Sequence, residues 1–235
     1  MESEALEMHS IDRLACIPCF SNLDTAHLQV LARSLGAQSF ERGESIFHQG
    51  SPGNVLYIIV TGQVRIYTIS EAGQELSVTI FRAGDFFGEL ALLDGQPRSA
   101  SAVAMGRTSA LLLHRSAFLH AVHDYPPIAV AILEAMAQRL RQSTSHADLL
   151  GTSSAIQRVA RQILALAARY GQREGDVTHI DLRLTQDDLA SLVGTTRETA
   201  NRALANLRDQ GLIQMARARV SVLDTHGLEQ KAKLP

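Results

Sequence analysis

Between residues 37 and 115 the chain is punctuated by glycines, among them Gly43, Gly50, Gly53, Gly62, Gly73, Gly84, Gly95 and Gly106, several of them 9–11 residues apart, and no other feature of the chain restricts its fold as much. The runs between these glycines, VLYIIV, QVRIYTI, LSVTIF and SALLLH, are six or seven residues long and rich in β-branched, aromatic and leucine side chains. Runs this short, closed off by turn formers, suit strands on a pleated, half-buried surface rather than helices. Several such strands in succession fold back on one another as a β-sandwich or barrel. No long helix-period segment interrupts the pattern.

After Tyr125-Pro126-Pro127 the period changes. Leu133, Met136, Leu140, Ser143, Ala147 and Leu150 follow at intervals of 3, 4, 3, 4 and 3, the a/d seam of a coiled coil. A seam of this kind needs a partner, and a second copy of the chain across a twofold axis supplies the simplest one; a core helix packed within the chain shares the same period. Ser143 occupies a seam position where Leu is expected, with Thr144 beside it. Two hydroxyls inside an apolar interface cost stability unless they are hydrogen-bonded, so they pair across a dimer or meet a polar ligand.

Gly151-Thr-Ser-Ser154 breaks this helix. Ser153 or Ser154 caps the next one, whose apolar stripe Ile156, Val159, Ile163, Leu164, Leu166 and Ala167 runs to Tyr170-Gly171. The polar stretch QREGDVTH that follows reads as an exposed loop. Thr185-x-x-Asp188 is a capping-box pattern opening a short helix that ends at Gly194, and Thr195-x-x-Glu198 reads as a second capping box. Two short helices with Gly in the turn between them describe a helix-turn-helix. The second helix buries Ala200, Ala203, Leu204 and Leu207 and presents Arg197, Glu198, Asn201, Arg202 and Arg208. Arg pairs with guanine O6 and N7 and Glu accepts from cytosine N4, so this face suits base edges in a major groove. Beyond it, Ile213-Gln-Met215 and Val220-Ser-Val222 flank a β-hairpin wing with Arg217 and Arg219 at its tip, placed for phosphate contacts.

Composition narrows the alternatives. A chain of 235 residues with 46% hydrophobic and 20% charged residues holds two globular domains. It has no apolar run near the roughly 18 residues of a membrane span, and its start, MESEALEMHS, lacks a secretion pattern, so a cytoplasmic protein without a membrane partner is expected. Residues 1–155 carry 10 Arg/Lys against 15 Asp/Glu, and residues 156–235 carry 12 against 9, which places the basic surface in the same third as the helix-turn-helix. The two cysteines, Cys16 and Cys19, form a CxxC too small for an iron–sulfur cluster, and packing beside Ile17 and Phe20 is the simpler role. His120-x-x-His123-Asp124 has a spacing common by chance, and no metal is expected.

Taken in order, FGELALLDGQPRSA (87–100) and TTRETANRALANL (195–207) make the chain resemble the cyclic AMP receptor family of bacterial transcription regulators, within the Crp/Fnr superfamily, across roughly residues 12–228. The resemblance implies an α+β fold: a cyclic-nucleotide-binding β-roll (double-stranded β-helix or jelly roll) over 1–126, a dimerisation helix and hinge over 127–152, a winged helix-turn-helix over 153–228 and a tail over 229–235. It implies a phosphate-binding cassette in which Gly88, Leu90 and Ala91 present backbone groups, Arg98 and Ser99 hold the cyclic phosphate, and Glu89 accepts from the ribose 2′-OH. Ser143 and Thr144 would meet the adenine of cyclic AMP from the two subunits, in the reverse of the commoner Thr-Ser order. Thr185, Thr195, Thr196, Arg197, Glu198, Asn201, Arg202, Arg217 and Arg219 are the expected contacts to a double-stranded, palindromic TGTGA-like operator, with Asn201 replacing a small residue. RNA polymerase is the further expected partner, near residues 171–179. Other expected possibilities are a different trigger (cyclic di-GMP, cyclic GMP or redox) or none. An enzyme is disfavoured, since no Walker loop or kinase signature follows residue 150.

Overall fold

The computed structural model describes residues 11, 14, 15, 17, 20, 21, 23–69, 75–147, 154–216 and 218–233, without the side chains of residues 142–147. Cys16, Cys19, Leu150, the 151–153 break and Arg217, as well as the Ser143 and Thr144 side chains, therefore lie outside the described residues. The chain divides into two compact units, residues 1–74 with 78–142, and residues 75–77 with 143–235.

In the first unit, helix α1 (Thr25–Ala32) precedes β1 (Leu35–Phe40), β2 (Ser45–Phe47), β3 (Val55–Thr61), β4 (Gln63–Ile69), β5 (Glu75–Arg82) and β6 (Phe86–Phe87). A one-and-a-half-turn helix α2 (Glu89–Asp94) then interrupts the strands before β7 (Ser101–Ala104) and β8 (Thr108–His114). Two four-stranded sheets result, ordered β1-β8-β3-β6 and β2-β7-β4-β5, with the ladders antiparallel. Helices α3 (Arg115–Asp124) and α4 (Pro126–Ala147) follow.

Alternation along β3 explains why VLYIIV is apolar at every position. Val55, Tyr57 and Ile59 point into a cluster with Phe40, Val64, Ile66, Phe81 and Phe87 between the sheets. Leu56 and Ile58 point the other way, into a cluster with Phe20 of the turn before α1 and with Leu28, Leu31, Phe118, Ile128 and Ile132 of the helices. A strand covered on both faces loses the polar half of its alternation.

Helix α3 lies just past the glycine-punctuated stretch of residues 37–115, and the glycine rhythm does not mark it. Helix α4 begins at Pro126, whose fixed φ and missing N–H cost nothing in a first turn. Its seam departs from the expected one at Met136. That side chain packs partly onto the core of its own β-roll beside Ile128 and Ile132, while Val130, Leu133 and Leu140 are 53%, 64% and 69% exposed. The intrachain and the outward stripes run side by side on one helix, and a 3-4 spacing in sequence does not separate them.

In the second unit, α5 (Ala155–Tyr170) starts at Ser154 with a reciprocal capping box to Gln157. The stretch expected as a loop is instead a hairpin, β9 (Gly171–Glu174) and β10 (Val177–Ile180), turning where Gly175 takes φ +62°. Its four β9 residues are all exposed, so the polar sequence marks an edge strand facing water rather than a loop. Helix α6 (Gln186–Leu192), α7 (Arg197–Asp209), β11 (Ile213–Ala216), β12 (Arg219–Val222) and α8 (Thr225–Ala232) complete the unit, with one sheet ordered β11-β12-β10-β9. Val159, Ala160, Ile163, Leu189, Ala200, Leu207 and Leu228 form its buried centre.

Gly62, the single residue between β3 and β4, has φ +90°, and a Cβ there would lie 2.6 Å from the Arg107 carbonyl oxygen. Gly62→Ala is expected to cost about 2–4 kcal/mol from backbone strain and overpacking. Gly106→Ala, which would meet nothing within 4 Å, serves as the control and should be near neutral in urea denaturation.

Candidate functional site

The turn at Gly88 requires a left-handed residue, φ +84°, and here glycine also makes room for a side chain from ten residues on: a Cβ would meet Arg98 Nη1 at 2.6 Å. Helix α2 begins immediately after, with Glu89 and Ala91 buried and Leu90 and Leu93 exposed, and ends at Gly95, φ +70°. Arg115 Nε donates to the Leu92 carbonyl at 2.9 Å and so holds the far end of the helix.

Arg98 is 5% exposed, although it is a cation. Nη1 donates to the Gly88 carbonyl and Nη2 to the Val55 carbonyl, both at 2.7 Å. Its guanidinium carbon sits 4.2 Å from the centre of the Phe47 ring and 5.9 Å from that of Tyr57. Two backbone bonds, Arg98 N to Ser51 O and Gly50 N to Arg98 O, each 2.8 Å, tie it to the loop after β2. Gly53 of that loop is so close that a Cβ would stand 2.6 Å from Arg98 Nε.

Two of the five guanidinium N–H donors are thus engaged, and the buried Nε has no hydrogen-bond acceptor. Among the described residues no carboxylate pairs with Arg98. Burial holds its pKa below the usual arginine range, with Tyr57 and Glu89 pulling the other way. The same burial raises the Tyr57 phenol, and the Arg98 charge opposes that rise.

Glu89, 7% exposed, has a partner that the sequence motifs do not mark. Arg139 of α4 donates from Nη1 to Glu89 Oε1 at 2.8 Å and from Nη2 to the Phe86 carbonyl. Its guanidinium carbon also lies 4.6 Å from the Phe81 ring centre and 4.2 Å from that of Phe86. Gly88, Glu89, Leu90, Ala91, Arg98 and Ser99 therefore share one cassette, with Ser99 exposed at its edge. Gly53, Phe47, Tyr57 and Arg139 join them through tertiary contact alone; the one prior signal was Gly53 within the glycine series. The assembly is a buried cation beside a carboxylate already held by a second cation, an arrangement short of negative charge. Among the described residues no group of three His, Cys, Asp or Glu side chains is placed to hold a metal ion. His123 and Asp124 form an exposed pair, 2.8 Å apart.

In the second unit, Thr185 caps α6 with the expected capping box, its backbone N donating to Asp188 Oδ2 at 2.8 Å. The second capping box is corrected by one residue. Thr196, not Thr195, caps α7, accepting from Thr199 N at 3.3 Å, and Glu198 stands in the first turn with no bond back to the cap. Gly194 at φ +62° lets Thr195 N reach the Ala190 carbonyl at 3.0 Å, which moves the helix start on by one residue.

Arg197, Glu198 and Arg202 are exposed along α7, and Arg197 pairs with Asp187 at 3.3 Å. Arg202 Nη2 donates to Thr199 Oγ1 at 3.4 Å. Asn201 is half-buried, and its Oδ1 has no donor. Ala216 pairs with Arg219 across the wing turn, where Ala218 takes φ +61° in place of the glycine such turns prefer. Arg219 is exposed beside it.

A family model described as a cyclic nucleotide-binding domain matches residues 37–125, and one described as a Crp-like helix-turn-helix domain matches residues 157–231. The chain is 36% identical over 221 residues to a "CRP-like cAMP-activated global transcriptional regulator" of Mycobacterium tuberculosis, covering 94% of this chain and 98% of the relative. It is 33% identical to the "Cyclic AMP receptor protein" of Thermus thermophilus, covering 92% and 96%. Among solved structures, FixK2 from Bradyrhizobium japonicum aligns with a TM-score of 0.75 at 26% identity, over 86% of this chain and 98% of that one. With its nucleotide-binding domain, its DNA-binding helix-turn-helix and relatives that are transcription regulators, the chain belongs to the Crp/Fnr family of transcription regulators.

Proposed function

We propose that the protein is a homodimeric regulator whose binding to a palindromic operator is switched by cyclic AMP. The observation that carries the reading is Arg98: a buried guanidinium with unengaged donors and no carboxylate pairing with it among the described residues. A charge held this way is costly unless an anion arrives, and a cyclic phosphodiester brings one negative charge in compact form. Ser99 and the backbone of Gly88, Leu90 and Ala91 supply neutral donors around it. Glu89 accepts from the ribose hydroxyl while remaining paired with Arg139, so a ligand bound to the cassette also bears on α4.

Cyclic AMP is favoured over other cyclic nucleotides by the hydroxyls of Ser143 and Thr144, which suit an adenine edge, and by the names of the two relatives above. The exposed stripe Val130, Leu133 and Leu140 supports pairing of two α4 helices, one from each copy. The nucleotide then favours one geometry of the helix pair, with the two α7 helices roughly 34 Å apart, one turn of DNA. It shifts the population only by its differential affinity for that state. Arg197, Glu198 and Arg202 read a TGTGA-like half-site, with Asn201 beside them and the cap threonines and wing arginines on phosphates. The β9–β10 hairpin is assigned to RNA polymerase on the family resemblance.

Isothermal titration against cyclic AMP, cyclic GMP and cyclic di-GMP should give the tightest binding for cyclic AMP, and no heat from any of them would refute the reading. Gly53→Ala, which pushes on Arg98 without removing it, is expected to weaken cyclic AMP binding about ten-fold or more. Leu133→Asp should convert the dimer to monomer in sedimentation equilibrium at micromolar concentration; a wild-type monomer with nucleotide and operator present counts against the scheme. Arg197→Ala is expected to cost about 1–3 kcal/mol and relax one operator position, whereas Arg219→Ala should weaken all sequences alike and lower the salt slope by about one. Competitive gel shifts over a salt series distinguish the two.

A further inference from the structure

Side chains from the first two turns of α5 hold the ends of two other helices. Gln157 Nε2 donates to the Lys233 carbonyl at 2.8 Å and Arg161 Nε to that of Ala232, both at the end of α8. Arg158 Nε donates to the Val193 carbonyl at 3.1 Å. Val193 is the C-cap of α6, and the peptide that follows it opens the turn through Gly194 and Thr195 to the cap of α7. Carbonyls at a helix C-terminus lack intrahelical donors and carry the negative end of the helix dipole, so a half-buried guanidinium answers both needs there. The backbone bonds inside the turn are Gly194 N to Ser191 O at 3.4 Å, which is long, and Thr195 N to Ala190 O at 3.0 Å. Arg158 adds a brace from outside the helix-turn-helix.

We infer that Arg158 is a positioning residue for DNA reading. By fixing the Val193–Gly194 peptide it sets the angle between α6 and α7, and therefore how Arg197, Glu198 and Arg202 meet the groove. It acts through the turn, not by neutralising a phosphate. Because it lies one turn past the Ser154 cap, it also ties the start of α5 to the turn that leads into α7. The inference rests on the DNA-reading role proposed for α7 but not on the identity of the effector.

The test compares full-length wild type with Arg158→Ala, Arg158→Gln and Arg158→Lys. Gln places an amide N–H as many bonds from Cα as arginine Nε, without the charge. Fluorescence anisotropy is read on a duplex selected by the wild type from a random pool and on a scrambled duplex, over a salt series and with melting temperatures recorded. Arg158→Ala is expected to lower the selected-to-scrambled affinity ratio about ten-fold, with an unchanged salt slope, and Arg158→Gln to recover most of it.

A salt slope lower by about one in Arg158→Ala, or a wild-type ratio in Arg158→Lys combined with an Ala-like ratio in Arg158→Gln, would mark a phosphate contact and overturn the inference. An unchanged ratio in Arg158→Ala overturns it as well. Should the Ala variant melt below the assay temperature, the Gln and Lys variants decide the matter by the same criteria. Measurements are made at the nucleotide concentration where wild type binds most tightly. Failure of the cyclic AMP reading then appears in the wild type, and failure of this one only among the variants.

Discussion

The cassette of the β-roll is built around one buried positive charge, Arg98. A guanidinium removed from water loses its hydration; no carboxylate among the described residues forms an ion pair with Arg98, and the Glu89 charge nearby offsets only part of the loss. The protein compensates partially: two strand and turn carbonyls accept from it, the faces of Phe47 and Tyr57 lie against it, and the loop after β2 is pinned to its backbone. In the proposed reading this partial compensation favours an anion, and a ligand bound there only in the folded form would stabilise the fold by mass action.

The neighbouring carboxylate extends this arrangement beyond the sheets. Glu89 is buried on α2 yet paired with Arg139 from α4, whose guanidinium also contacts Phe81 and Phe86. The long helix is thus attached to the cassette by a charged, largely dry contact, the kind whose geometry is exacting because misplacement leaves a buried charge unpaired. On one side of α4, Ile128, Ala131 and Ile132 are buried in the β-roll; on the other, Val130 and Leu133 face outward. In the proposed mechanism, that double commitment lets chemistry at the cassette bear on the pairing of two helices. In the second unit α5 plays a comparable part, its polar side chains gripping the ends of α6 and α8.

Much of this was legible along the chain because the signals are local. The strand runs, the capping pair Thr185 and Asp188, and the buried stripe of α7 depend on spacing and short-range hydrogen bonds, and the structure reproduces them. Failures came where two environments share one pattern. A polar run reads alike as a loop and as an exposed edge hairpin, and residues 172–179 belong to the latter. Met136 and Leu133 both satisfy a 3-4 repeat, although one packs inward and the other faces out. Thr195 and Thr196 are equally good caps, and the bond from Thr195 N to Ala190 selects the second.

What the sequence determined by itself is the main strand runs, the long helix and the helix-turn-helix, the class of each unit, and the identity of Gly88, Glu89 and Arg98 as a polar interruption in an apolar region. Those follow from side-chain period, turn chemistry and residue type, which act over a few positions. Only the tertiary structure decided that Arg98 is buried against Phe47 and Gly53, that Glu89 answers to Arg139 fifty residues away, and that Arg158 braces a turn thirty-five residues on. Such partners are chosen by how the strands and helices close on one another, and nothing in local spacing encodes which distant side chain arrives.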